Sequence, residues 1–319
     1  MPIRRRALLG AAALALATPA LAQARPLRVV VPFAAGGLTD VVARILADFM
    51  GPALGRPMVI ENQGGAGSTI GAATAARAAP DGNTIMVGSV GHAAMRALYA
   101  NFPFDPIESY APVALTTRQP FVLVVHPSVP AADVPAFLAW LRSRRGEANF
   151  GTAGIGATSH LSAELLRKLA GVDFTVVPYR GTPQGVADLT AGRVEFMMDS
   201  QTLLAPLMAD GRVRGLAVTT AQRSTMLPNL PTLAEAGVPG YDSSAWNGIY
   251  APAGTPDALI RPISEAAARA VRDPGTLRRL ADAGVDVFED TSPEALAAHL
   301  RVEVAKWGEL VRALNIRGG

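Results

Sequence analysis

The chain has 319 residues, half of them apolar and 17% charged, with a formal net charge of +3 and no cysteine. Residues 1–24 hold three arginines and no acid, so the remainder carries 26 basic and 26 acidic side chains and is formally neutral. That balance leaves no electrostatic footprint for nucleic acid, and the lack of cysteine excludes disulfides, thiolate metal sites and thiol nucleophiles.

In chain order, the first segment reads as an export signal. Arg4-Arg5-Arg6 is a basic start, residues 7–17 are apolar, and Ala22-Gln23-Ala24 is an A-x-A cleavage site, so cleavage is expected after Ala24. Thr18, Pro19 and Gln23 interrupt the apolar stretch too early for a membrane span. The Arg5-Arg6 pair admits either general or twin-arginine export.

Short β-branched runs then alternate with helical patterns. Strands are expected at 27–33, 57–60, 84–88, 121–126, 148–151, 174–178, 194–198, 213–219 and 247–251, and helices at 41–50, 135–144, 159–170, 183–190 and 202–209. Such alternation predicts an α/β fold with parallel sheets. Near the end, Thr291 to Glu294 reads as a capping box with Pro293 in the first turn. Leu296, Leu300, Val304, Trp307, Val311 and Leu314 follow at helical spacing, marking one buried face.

The first strand runs into Pro32-Phe33-Ala34-Ala35-Gly36-Gly37-Leu38-Thr39-Asp40. Gly36-Gly37 lets the backbone approach a guest, Thr39 or Asp40 is positioned to cap the helix, and the unpartnered first-turn amides favour an anion. The design recurs at Gly151-Thr152-Ala153-Gly154-Ile155-Gly156-Ala157-Thr158-Ser159-His160, again between a strand and a helix. In open α/β sheets such junctions face the ligand crevice. Two lobes across a cleft are the simplest arrangement, with candidate hinges at 121–127 and 246–256. A helix terminus contributes about 0.3–1 kcal/mol to anion binding, up to roughly 2 when partly buried, and each charge-assisted hydrogen bond adds about 1.5–3 kcal/mol. Micromolar affinity needs about 8 kcal/mol, so a single loop is too weak and two opposed loops suffice.

Other patterns in the chain favour simpler readings. Gly154 to Ser159, with Asp173 downstream, approaches a dinucleotide fingerprint, but the third glycine is missing and the preceding strand is short and polar. Gly88-Ser89-Val90-Gly91 fails the nucleophile-elbow spacing, because its first glycine adjoins the serine. His92, His126, His160 and His299 show no metal-ligand spacing, and His126 and His299 read as structural. A third glycine segment, Glu61 to Gly71, reads first as a loop with a capped helix and second as further backbone donors. Asp199-Ser200, ending a strand, reads as a cap or as an acid able to meet ligand N–H or O–H groups.

Several ordered segments resemble one family across essentially the whole chain after residue 24. They are the Pro32–Asp40 run, Glu61-Asn62 with Gly65-Ala66-Gly67, Gly151-Thr152-Ala153-Gly154, Val177-Pro178-Tyr179-Arg180-Gly181, Leu216-Ala217-Val218-Thr219, Pro231-Thr232-Leu233-Ala234-Glu235-Ala236-Gly237 and Ala251-Pro252-Ala253-Gly254-Thr255-Pro256. On these the chain is similar to the substrate-binding proteins of tripartite tricarboxylate transporters, the Bug family of periplasmic solute receptors. The resemblance implies a two-lobed, type II-like periplasmic-binding-protein fold whose cleft captures a small carboxylate, with no cofactor, no metal and no catalysis. Lobe 1 is expected at 25–122 and 249–319, and lobe 2 at 123–248.

By position the resemblance nominates Phe33, Ala35, Gly36 and Thr39 as ligand contacts, with Asp40 as a discriminator among ligands. From the second loop it nominates Thr152, Gly154, Ile155, Thr158, Ser159 and His160, with Tyr179 and Asp199 as further candidates. It implies a periplasmic monomer whose partners are the carboxylate and the transporter's membrane subunits. Alternatives are an exported hydrolase using Ser89 or Ser159 with a histidine, or a receptor feeding a sensor kinase. The family's usual Arg-Pro after Glu-Asn is here Gln63-Gly64, and its prolines before Gly-Gly are here Ala34-Ala35. Both departures are expected to loosen or enlarge the cleft.

Overall fold

The computed structural model describes residues 25–99, 101–179 and 181–317; the expected export signal, its cleavage site and Arg180 lie outside them. The strands are β1 (Leu27–Val31), β2 (Met58–Asn62), β3 (Thr84–Gly88), β4 (Tyr110–Val125), β5 (Asn149–Thr152), β6 (Thr175–Pro178), β7 (Phe196–Ser200), β8 (Arg214–Val218), β9 (Ser244–Pro252) and β10 (Asp286–Val287). The helices are α1 (Leu38–Leu54), α2 (Thr69–Ala76), α3 (Val90–Leu98), α4 (Val134–Arg144), α5 (Thr158–Ala170), α6 (Thr182–Thr190), α7 (Gln201–Ala209), α8 (Asp257–Ala270), α9 (Pro274–Asp282) and α10 (Pro293–Ala313). The α/β expectation holds, and α3, α8 and α9 are added to the helices read from sequence.

Two sheets share one strand. In the first, β1 lies parallel to β2 and β3, while β9 runs antiparallel between β3 and β4. In the second, β5 lies parallel to β6 and β7, and β4 runs antiparallel to β7 and β8. The division falls inside β4: residues up to Pro120 pair with β9, and Phe121–Val125 pair with β7 and β8. The strand expected at 121–126 is thus only the second part of a 16-residue strand.

Burial on both faces explains the valine-rich β1. Alternate side chains leave a strand on opposite faces, so Val29 and Val31 pack toward α1 and α8 while Val30 joins the opposite core. That opposite core is continuous across both sheets, running from Met86 and Met95 through Leu123 to Phe150 and Phe196, with Trp246 and Trp307 buried under α10. A third cluster, Val122, Val124, Leu189, Met197 and Leu204, fills the far side of the second sheet.

One capping assignment shifts by a residue. Ser292, not Thr291, caps α10: its hydroxyl accepts from the Ala295 amide at 3.1 Å. Pro293 thereby takes the first helical position, where its fixed φ suits the helix and its missing N–H is not needed.

Candidate functional site

All parallel strands of each sheet deliver their carboxyl ends to helix starts: β1, β2 and β3 lead toward α1, α2 and α3, and β5, β6 and β7 toward α5, α6 and α7. The β1–α1 and β5–α5 junctions have the same backbone. The Gly37 amide donates to Ala34 O at 3.3 Å, and the Ala157 amide to Gly154 O at 3.2 Å. Gly36 and Gly156, third in these turns, both have φ of +80°. That value is the type II turn position that favours glycine. Gly37 and Ala157 then stand at the N-caps in extended conformation.

No side chain caps either helix, so the expected capping by Thr39 or Asp40 is corrected. Asp40 reaches backward instead. Its Oδ2 accepts from the Gly36 amide at 2.8 Å and from Arg44 Nε at 3.0 Å, and its Oδ1 accepts from Asn62 Nδ2 at 2.9 Å. Asn62 also donates to Phe33 O at 3.2 Å. Burial alone would raise the Asp40 pKa, but the bonds from Arg44, Gly36 and Asn62 outweigh it and hold the carboxyl below its usual range. Asp40 is buried with both oxygens engaged, so its geometry pins the turn rather than reaching into a cleft.

His160 is its counterpart in the second junction. Its Nδ1 accepts from the Gly156 amide at 3.1 Å, again four residues back. Burial, with Arg167 nearby, pulls its pKa down to about 4, so the ring is neutral near pH 7. The proton then resides on Nε2, 3.8 Å from Glu164 Oε1. Ser159 completes the arrangement: its hydroxyl lies 2.8 Å from Thr152 Oγ1 and accepts from the Ala153 amide at 3.2 Å.

The structure brings the remaining nominees to the same edges. Ala35 and Gly36 are exposed, Phe33, Gly154, Ile155 and Thr158 are half-buried, and Thr39, Thr152 and Ser159 are buried. Tyr179 gives its hydroxyl proton to Asp188 Oδ2 at 2.6 Å. Asp199 is buried, accepting from its neighbour Ser200's amide at 2.7 Å and from Thr182 Oγ1 at 3.0 Å. Burial pushes the Asp199 pKa up to about 6. A Cβ at Gly64 would lie 3.0 Å from Ala34 N and 3.2 Å from Phe33 C, so this glycine lets the third loop close tightly on the first. Nothing in the local sequence marked Arg44, Asn62 or Thr182 as partners; each pairing depends on how helices and strands meet in space.

Among the described residues neither Ser89 nor Ser159, the serines of the hydrolase alternative, is seen bonded to a histidine; the serine that is, Ser128 with its Oγ 2.7 Å from His126 Nδ1, sits in an exposed turn away from both glycine loops. Ser159 bonds to Thr152 and a backbone amide, His160 Nδ1 is occupied by Gly156, and His92 Nε2 faces Pro106 O at 2.8 Å. A groove of about 580 Å³ lies elsewhere, between β10 and α10, and neither glycine loop lines it. Among the described residues no group of three His, Asp or Glu is placed to hold a metal, and no helix is long and apolar enough to cross a membrane.

The family profile of the tripartite tricarboxylate transporter family receptor, TctC, matches residues 42–316. The chain belongs to this receptor family. Its fold is similar to that of the periplasmic binding protein BugD, at 35% identity and a TM-score of 0.82 over 92% of this chain and 99% of that one. It is also similar to MatC from Rhodopseudomonas palustris, solved with bound malate, at 37% identity and a TM-score of 0.81 over 90% and 99% of the two chains. Rpa4515 from R. palustris, solved with adipate, gives 35% identity and a TM-score of 0.83 over 92% and 98%. The two sheets with their helices are accordingly the two lobes of a periplasmic-binding-protein fold, with the ligand cleft between them. The receptor is a binding protein and not an enzyme.

Proposed function

We propose that this receptor works in the periplasm, where it captures a small organic carboxylate between its lobes and delivers it to the membrane subunits of a tripartite tricarboxylate-type transporter. The carrying observation is the pair of matching junctions, β1–α1 and β5–α5, each with its turn pinned from within and its first-turn amides uncapped by side chains. Pre-formed amide donors at a helix start hold a carboxylate without reorganisation. Malate in MatC and adipate in Rpa4515 favour this ligand class. Residues 1–24 favour export.

In this reading Phe33, Ala35, Gly36 and Thr39 form one jaw, and Gly154, Ile155, Thr158 and Ser159 the other. Thr152 holds Ser159, Asp40 and His160 pin the two turns, and Tyr179 and Asp199 stand at the second lobe's edge. Strand pairing supports lobe crossings at Pro120–Phe121 and near Ser244, close to the 122 and 248 read from sequence. The protein acts as a monomer.

Thermal-shift titration of the protein without residues 1–24 tests the ligand class. Malate, succinate, adipate and citrate are titrated beside neutral sugars and cations. At least one carboxylate is expected to give a saturable rise in melting temperature, corresponding to about 2.7 kcal/mol at a hundredfold excess over Kd. Stabilisation by sugars or cations with none by any carboxylate would overturn the reading. For delivery, deleting the gene is expected to abolish uptake of the stabilising acid; unchanged uptake would refute that part.

A further inference from the structure

The third glycine segment of the first lobe holds a side chain that packing does not explain. Ser68 ends the 3-10 turn Ala66–Ser68 and stands at the N-cap of α2 with φ +80°. The other described non-glycine residues with positive φ, Arg145 and Asn315, sit at or beyond helix C-termini, where the left-handed conformation is ordinary. A helix start normally takes an extended N-cap whose hydroxyl bonds the first turn. Ser68 does neither: its backbone is left-handed and its side chain makes no cap bond. Glycine would adopt this conformation without the steric penalty that a Cβ brings.

The Ser68 hydroxyl is also without a partner. The residue is 3% exposed and its Oγ makes no hydrogen bond. Buried hydroxyls are nearly always satisfied, because leaving water without a new bond is unfavourable. This Oγ lies over the first turn of α3, 3.1 Å from the point where a Cβ on Gly91 would stand. Phe33 Cζ, from the first jaw, is 3.7 Å from the same point. The hydroxyl therefore sits where the start of α2 meets the first turn of α3, and the Phe33 ring of the first jaw reaches the same turn.

We propose that Ser68 is a ligand-selecting residue of the first lobe, whose hydroxyl donates to an oxygen of the bound carboxylate. The proposal rests on the carboxylate-receptor reading and assigns it a contact outside both jaws. It accounts for a serine kept where glycine is conformationally better, and for a buried hydroxyl with nothing to bond in the ligand-free protein.

Two variants test it, Ser68→Gly and Ser68→Ala, in the full chain without residues 1–24. Isothermal titration with L-malate and with adipate is read beside the ligand-free melting temperature. Ser68→Gly is expected to melt at or above the wild-type temperature, because glycine suits the backbone, yet to bind the better of the two acids at least fivefold more weakly. Ser68→Ala is expected to lose the same affinity, which separates the missing hydroxyl from the relieved backbone. Affinities within fivefold of wild type in both variants would overturn the proposal while leaving the receptor reading intact. A wild-type protein that binds neither these acids nor any other carboxylate would overturn both.

Discussion

Asp40 and His160 perform one task with different chemistry. Each occupies the third position of its helix and accepts the amide of a left-handed glycine four residues back. Asp40 does so as an anion, so the start of α1 carries its own counter-charge. His160 does so as a neutral ring, and the start of α5 keeps its full positive character. Neither group titrates between pH 5 and 8, since Asp40 is held low and His160 is drawn down to about 4. Asp199 does titrate in that range. Its carboxyl is raised by burial to about 6, so the folded protein binds its proton more tightly than the unfolded chain. That contribution is fully present below about pH 4 and is lost as pH rises through about 6. Asp199→Asn keeps an acceptor for the Ser200 amide, places an Nδ2 donor opposite the Thr182 hydroxyl, which can turn to accept, and removes the charge. It is expected to be more stable than wild type above pH 7, by on the order of 2–3 kcal/mol, with the difference vanishing by pH 4. Urea denaturation at pH 4, 5.5 and 7.5 measures this, and a pH-independent difference would show that Asp199 is not the titrating group. The loop residues themselves were legible in sequence because strand, glycine turn and helix start are local chemistry. The pins were not: Asn62 reaches Asp40 from the neighbouring strand, and that adjacency exists only once β1 and β2 pair.

At the scale of elements, the turn between α9 and β10 ties the first lobe to the second. Ala283 O accepts from Gln119 Nε2 at 2.9 Å and from Thr202 Oγ1 at 2.7 Å, and Gly284 O accepts from Gln201 Nε2 at 3.3 Å. Gln201 and Thr202 open α7, directly after the β7 end that carries Asp199. Gly284 has φ +68°, and a methyl there would overlap Thr202 Oγ1. Gly284→Ala is therefore expected to displace the turn and cost about 2–4 kcal/mol. Gly254→Ala is the control, because Gly254 also has positive φ, +78°, but open space around it; strain alone predicts about 1–2 kcal/mol there. Equal losses in the two variants would show that the contact with α7 adds nothing. The strands and helices most visible in sequence were those with clean periodicity. β4 was half missed for a physical reason: Pro112 and Pro120 break its pattern, one at a register shift and the other where pairing passes from β9 to β7. The shift of the α10 cap from Thr291 to Ser292 turns on which residue places Pro293 first in the helix, a choice that spacing alone leaves open.

For the whole molecule, the apolar core that runs from Met86 through Leu123 to Phe196, and the strand shared by both sheets, link the lobes by packing as well as by chain. Heating is expected to give a single transition, coincident by near- and far-UV circular dichroism. Val124→Asp, which buries a charge in the second-sheet part of β4, is expected to lower that transition without splitting it. Two separated transitions would show instead that the lobes melt independently. The same sharing governs how the chain acquires its shape. β3 and the first part of β4 find their common neighbour only in Ser244–Pro252, more than a hundred residues later. A chain emerging end-first from a ribosome or a translocation pore cannot close its first sheet until β9 has followed. Until then β3 and β4 each present an open edge, the kind of surface that invites mispairing. Closure of the first sheet thus waits on a single late strand.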